Sequence, residues 1–159
     1  MNHRKTIRLY NILFPIWMLI WIPSWLWLIL IPANLLIDGL VLYYSQKKLQ
    51  IDDPQLIRKH LWKVCPAGFL ADLAGAVLLV VIAYNAGSEL SSALTWNPFT
   101  NFRALLITLL AIALAGLLIY WFNQRIFRSY GTEAAHGIAL RMAVLTAPYL
   151  FLLPASLIY

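Results

Sequence analysis

LYNILFPIWMLIWIPSWLWLILIPANLLIDGLVLYYSQ, residues 9–46, is a run of 38 residues carrying one charged side chain, Asp38. A membrane-spanning helix needs about 20 apolar residues, so a run nearly twice that length reads as two crossings joined by a turn. Arg4, Lys5 and Arg8 precede the run, and Lys47 and Lys48 follow it. Basic residues collect on the cytoplasmic side of a membrane. Positive charge at both ends therefore predicts a hairpin that returns to the side it started from. A secretory signal is ruled out by length, since the apolar core of such a leader spans only about 7–15 residues.

Two places in the run can hold the turn, Pro23-Ser24 and Pro32-Ala33-Asn34, because proline disfavours helix in the residue before it. Trp17, Trp21, Trp25 and Trp27 cluster around Pro23, and indole rings favour the membrane interface. The turn is placed at Pro23, which makes Pro32 a kink inside the second helix. The first helix, about residues 9–22, is then only about 21 Å long at 1.5 Å per residue. It is short against a hydrocarbon core of about 30 Å, and implies a half-span or a locally thinned bilayer.

Composition agrees with this class: 62% of the 159 residues are hydrophobic and 11% are charged. The net charge of +6 does not point to nucleic acid, because the basic residues sit in short clusters at the ends of apolar runs rather than in a patch interleaved with exposed aromatics. Cys65 is the single cysteine, which excludes an intrachain disulfide, a CxxC pair and a thiolate metal cluster. No metal site and no cofactor are expected.

Lysines and arginines number three in the N-terminal tail, five from Ser45 to Lys63, none from Asn85 to Phe102, and two from Asn123 to Gly137. The expected protein is an all-α integral membrane protein, a single multi-pass domain built as a bundle of five transmembrane helices. The first two form the tight hairpin. The N-terminus is expected in the cytoplasm and the C-terminus outside the cell membrane. The helices are expected at about 9–22, 24–46, 54–84 with a kink at 66, 98–127 and 133–157. Asp52 or Asp53 can cap a helix opening at Pro54. Leu56, Ile57 and Leu61 beside Arg58, Lys59 and Lys63 read as an interfacial lead-in. Asn85-Ala86-Gly87 reads as a stop, Asn97-Pro98 as the start of helix four, Gly131 as its end, Thr132 as the cap of helix five and Pro148 as a bend within it.

Charges inside the membrane are costly and mark a partner, a cavity or a function. Counted from the basic ends of their helices, Asp38, Asp72 and Arg141 each lie about eight residues in, roughly 12 Å deep. Asn34 lies one turn from Asp38 on the same face. The sequence thus predicts an intramembrane polar cluster of Asp38, Asp72, Arg141 and Asn34, with Arg141 pairing one or both aspartates. That cluster reads either as a fixed ion pair that holds helix register or as a titrating site. His136 could extend a proton path toward it.

Small residues recur every fourth position: Ala67, Ala71 and Gly75; Ala111 and Ala115; Ala135, Ala139, Ala143 and Ala147. Such faces let helix backbones approach closely, within one chain or against another membrane protein or a second copy. The lipid bilayer is the other expected partner. HExxH, a Gly-rich phosphate loop and a GxSxG elbow are all absent from the sequence. Asp38-Gly39 lacks the further acidic pair that lipid-headgroup transferases use. The favoured function is a structural or accessory subunit of a membrane assembly. A small proton-linked transporter or channel using the Asp/Asp/Arg site is the alternative, and a membrane-embedded enzyme the third reading. A transporter should show a continuous polar pathway.

Overall fold

The computed structural model describes residues 27–154. The expected helix at 9–22, the Pro23 turn and the last three residues of the expected helix five lie outside the described residues. Five α-helices follow in order: α1 Trp27–Lys48, α2 Leu56–Asn85, α3 Ser88–Trp96, α4 Phe102–Ile126 and α5 Thr132–Leu145. No strand occurs among the described residues. α4 packs on α2 and α5, and α1 packs on the same two helices from the other side, so the four long elements form a ring. α3 closes one end of it against α2 and α4.

Three segments are long and apolar enough to cross a membrane: α2 with 30 residues, α4 with 25, and α5 together with its 3₁₀ continuation, Thr132–Leu152, with 21. α1 runs unbroken over 22 residues through Pro32, and α2 runs unbroken through Pro66. Both prolines are exposed. On an outward surface the missing hydrogen bond and the ring clash are relieved by bending, so the helices lose no inward contact there.

Several boundaries differ from the sequence reading. Pro54 lies in a turn before α2 rather than at its first residue, and Asp53 Oδ1 accepts the Gln55 N–H at 2.9 Å in that turn. Residues 88–96, read as plain connection, form the helix α3. Asn97 caps only a 3₁₀ turn, Pro98–Thr100. Asn101 is the cap of α4, its side chain accepting from Arg103 N at 2.9 Å and Ala104 N at 3.3 Å. Gly131, with φ 91°, stands before α5, and Thr132 is its first residue rather than its cap. α5 stops at Leu145, short of Pro148, and the chain resumes as a 3₁₀ turn over Tyr149–Leu152.

The interior is filled largely by the small-residue faces. Ala67, Ala71, Gly75, Ala111, Ala115, Ala135 and Ala139 are all buried within the chain. A Cβ built on Gly75 would stand 3.0 Å from the Ala111 carbonyl oxygen and 3.4 Å from Ala115 Cβ. One built on Gly116 would stand 3.6 Å from the Ala143 carbonyl oxygen. α2, α4 and α5 are therefore drawn together at backbone distance. Larger side chains complete the core toward the end where α1 leads into α2, with Leu42, Leu56, Ile119, Phe127, Ile138 and Met142 almost fully buried.

That end is also the basic one. Lys47, Lys48, Arg58, Lys59, Lys63, Arg125 and Arg128 are exposed there. The two connections at this end are tied to each other. Tyr130 Oη donates to Asp53 Oδ2 at 2.7 Å, and Lys59 Nζ lies 3.7 Å from the same carboxylate. Gln46 Nε2 donates to the Asp53 carbonyl at 2.8 Å. Behind them His60 stacks against Phe127 and Tyr130, with ring centroids 4.9 and 5.4 Å away. The Asp53 carboxyl is held below its ordinary range, first by the Tyr130 hydroxyl and then by the Gln55 N–H. Burial, with the Asp53 bond and charge adding to it, pushes the Tyr130 hydroxyl up to about 12.

Candidate functional site

The inward face of α1 is set by helical spacing: Asp38, Val41, Leu42 and Ser45 are buried, at i, i+3, i+4 and i+7. Asp38 is only 2% exposed. Its Oδ2 accepts from Asn34 Nδ2 at 3.5 Å, a long bond within one helix face. Across the seam it lies over Gly68 of α2, where a built Cβ would stand 4.0 Å from Asp38 Oδ2. Asn34 also reaches α2, with Nδ2 3.9 Å from Cys65 Sγ. Asp72 stands one turn beyond Gly68 on α2. The Asp72 Oδ1 atom is buried without a hydrogen-bond partner.

Asn34, Asp38 and Asp72 are thus brought to the α1–α2 seam, with Cys65 beside them. Arg141 is not. Its Nη1 donates to the Gly137 carbonyl at 2.8 Å, one turn back on its own helix. Among the described residues the ion pair is Lys59–Asp53, and the expected pairing of Arg141 with the aspartates is corrected. The physical reason is direction: helix side chains lean toward the N-terminus of their helix, and α5 starts at the basic end. A long cationic side chain then runs along the helix toward that end instead of across the bundle. Asp38 leans the other way, since α1 ends where α5 begins.

His136 does not extend a path to the carboxyls. It is exposed on α5, and its Nδ1 shares a 2.8 Å hydrogen bond with the Tyr120 hydroxyl of α4, ring against edge. Besides Thr108, two further inward polar groups that the sequence does not single out, Ser45 and Asn123, are fully buried. Ser45 Oγ and Asn123 Oδ1 have no hydrogen-bond partner. A signal for each was present, since Ser45 is seven residues after Asp38, and Asn123 continues the Ala111, Ala115, Ile119 stripe.

The remaining interior donors bond within their own helix. Thr108 Oγ1 donates to the Ala104 carbonyl at 2.9 Å and Asn123 Nδ2 to the Ile119 carbonyl at 2.8 Å, each within α4. No group of three His, Cys, Asp or Glu side chains that could hold a metal ion occurs among the described residues. Each carboxyl can accept a proton or a hydrogen bond, and among the described residues neither has a cation within ion-pair distance. Comparison with known proteins finds no matching family model and no match among curated proteins or solved structures.

Proposed function

We propose that the chain is a small multi-pass membrane protein acting as a structural or accessory subunit of a membrane assembly. The observation that supports this is the interior itself. Glycine and alanine seams bring α2, α4 and α5 to backbone distance, and Thr108 Oγ1 and Asn123 Nδ2 turn back onto their own helix. Such an interior packs well and conducts poorly. The proposal includes α1 as a further crossing, preceded by a short helix that completes a five-helix bundle. It places the N-terminus and the basic end in the cytoplasm and the C-terminus outside the cell membrane. Copurification in mild detergent tests it: a stoichiometric second membrane protein is expected, and a lone monomer under every mild condition contradicts it.

A second reading rests on the α1–α2 seam, where Asp38 and Asp72 stand on packed helices and, among the described residues, no cation lies within ion-pair distance of either. Intramembrane carboxyls of this kind serve proton relays. In proteoliposomes, proton-coupled flux lost in Asp38→Asn and Asp72→Asn would favour this reading over the accessory one.

A further inference from the structure

We propose that Arg141 binds the phosphate of an anionic phospholipid in the leaflet at the basic end, in the seam between α5 and the end of α1. The inference depends on α5 crossing a membrane and is independent of the accessory role. A guanidinium carries five N–H donors in a planar fork, and the hydrogen bond seen for this one is Nη1 to the Gly137 carbonyl. Arg141 is half-buried, with no carboxylate of the described residues within ion-pair distance. An unpaired guanidinium in the hydrocarbon is costly, so the remaining donors need an acceptor from outside the protein.

Position selects that acceptor. Arg141 lies nine residues into α5, roughly 13 Å along the axis, but the Gly137 carbonyl it reaches is only about 7 Å in. The fork has turned toward the headgroups. The surface is shaped for it: a Cβ built on Gly137 would stand 3.1 Å from Nη1 and 3.0 Å from Leu49 Cδ2. A side chain at 137 would displace the guanidinium or the leucine that flanks it. Lys47 and Lys48, exposed in the last turn of α1, add positive charge at the same end. A phosphodiester matches the planar fork in charge and bidentate geometry, and the added positive charge of the lysines favours a lipid of net negative charge over a zwitterionic one.

The test measures phosphatidylglycerol retained by the full chain after washing in mild detergent, read by native mass spectrometry, with phosphatidylcholine as the neutral comparison. Wild type should retain phosphatidylglycerol preferentially. Arg141→Gln should weaken retention about tenfold, the loss of a charge-assisted bond pair, and Arg141→Lys should lose less. Gly137→Ala should weaken retention in the wild-type background and have no effect beside Arg141→Gln, which a merely structural role for Gly137 would not produce. Arg103→Gln, exposed at the opposite end, should change nothing. Retention unaltered by Arg141→Gln overturns the proposal. Equal loss in Arg103→Gln also overturns it, as does equal protection of the detergent-solubilised protein by inorganic phosphate. A crosslink from position 141 to a copurified protein, in place of lipid, would assign the guanidinium to a partner chain instead.

Discussion

Replacing Gly75 by alanine tests the packing of this protein most sharply, because the same change at Gly68 supplies an internal control. Both glycines lie in the middle of α2, so each gains the same intrinsic helix preference on becoming alanine, about 1 kcal/mol in water. Their surroundings differ. At Gly75 the new methyl would stand 3.0 Å from the Ala111 carbonyl oxygen and 3.0 Å from Phe151 Cε2. The phenyl ring can tilt, but the carbonyl belongs to the α4 backbone, so relief requires α2 and α4 to move apart. At Gly68 the nearest atom is Asp38 Oδ2 at 4.0 Å, an ordinary contact. Overpacking of this kind costs about 1–3 kcal/mol, and the control cancels the propensity gain. Gly75→Ala should therefore be less stable than Gly68→Ala by about 1–3 kcal/mol. Reversible unfolding in mixed detergent–lipid micelles reads the difference directly. Two variants equal to within about 0.5 kcal/mol, the usual error of additivity, would refute the close approach of α2 and α4.

Two further outcomes follow from the basic end. Phe127→Ala should lower stability by about 3–5 kcal/mol, since the ring is fully buried and packs on His60; a loss under about 1 kcal/mol in the same unfolding assay would remove it from the core. The Tyr130–Asp53 tie should depend on pH at both limits. Asp53 is shifted down, so its contribution is present above its unfolded value and lost as pH falls through the folded one. Tyr130 is shifted up to about 12, so its contribution is present below its unfolded value near 10 and lost as pH rises through the folded one. Wild type should exceed Tyr130→Phe in stability from about pH 4 to about pH 10, and the two curves should converge outside that window; parallel curves would show that the hydroxyl contributes nothing through Asp53.

The long apolar segments, their small-residue faces and the clustering of basic residues at one end were legible in the sequence because each rests on composition and periodicity alone. α3 was missed because its Leu90, Ala93 and Leu94 make a short apolar stripe within a polar segment, which the reading took for connection. Asn97-Pro98 looked like the start of α4, but Asn101, three residues after Pro98, is equally able to cap and has a long apolar run ahead of it. Arg141 departs from its expected partners for a different reason: equal depth at the Cα atoms does not bring charges together, because charges sit at side-chain tips. Arginine extends about a helical turn toward its helix N-terminus, so equal Cα depth on helices of opposite direction separates the tips. Direction was available from the order of the helices, and applying it would have kept Asp38 near Asn34 and sent Arg141 to the basic end. Contacts between the connections, such as Tyr130 with Asp53, had no local signal because 77 residues separate the partners.

The central claim is that this helical ring crosses a membrane with its basic end in the cytoplasm. Single cysteines placed at Gln50 and Arg128, at the basic end, and at Glu89 and Phe99, at the other, in a background where the native Cys65 is replaced by alanine, can be labelled in intact cells with a membrane-impermeant maleimide. The account predicts labelling of positions 89 and 99 without lysis, and of positions 50 and 128 only after the membrane is opened. Labelling of position 50 or 128 in intact cells, or of positions at both ends alike, would contradict it.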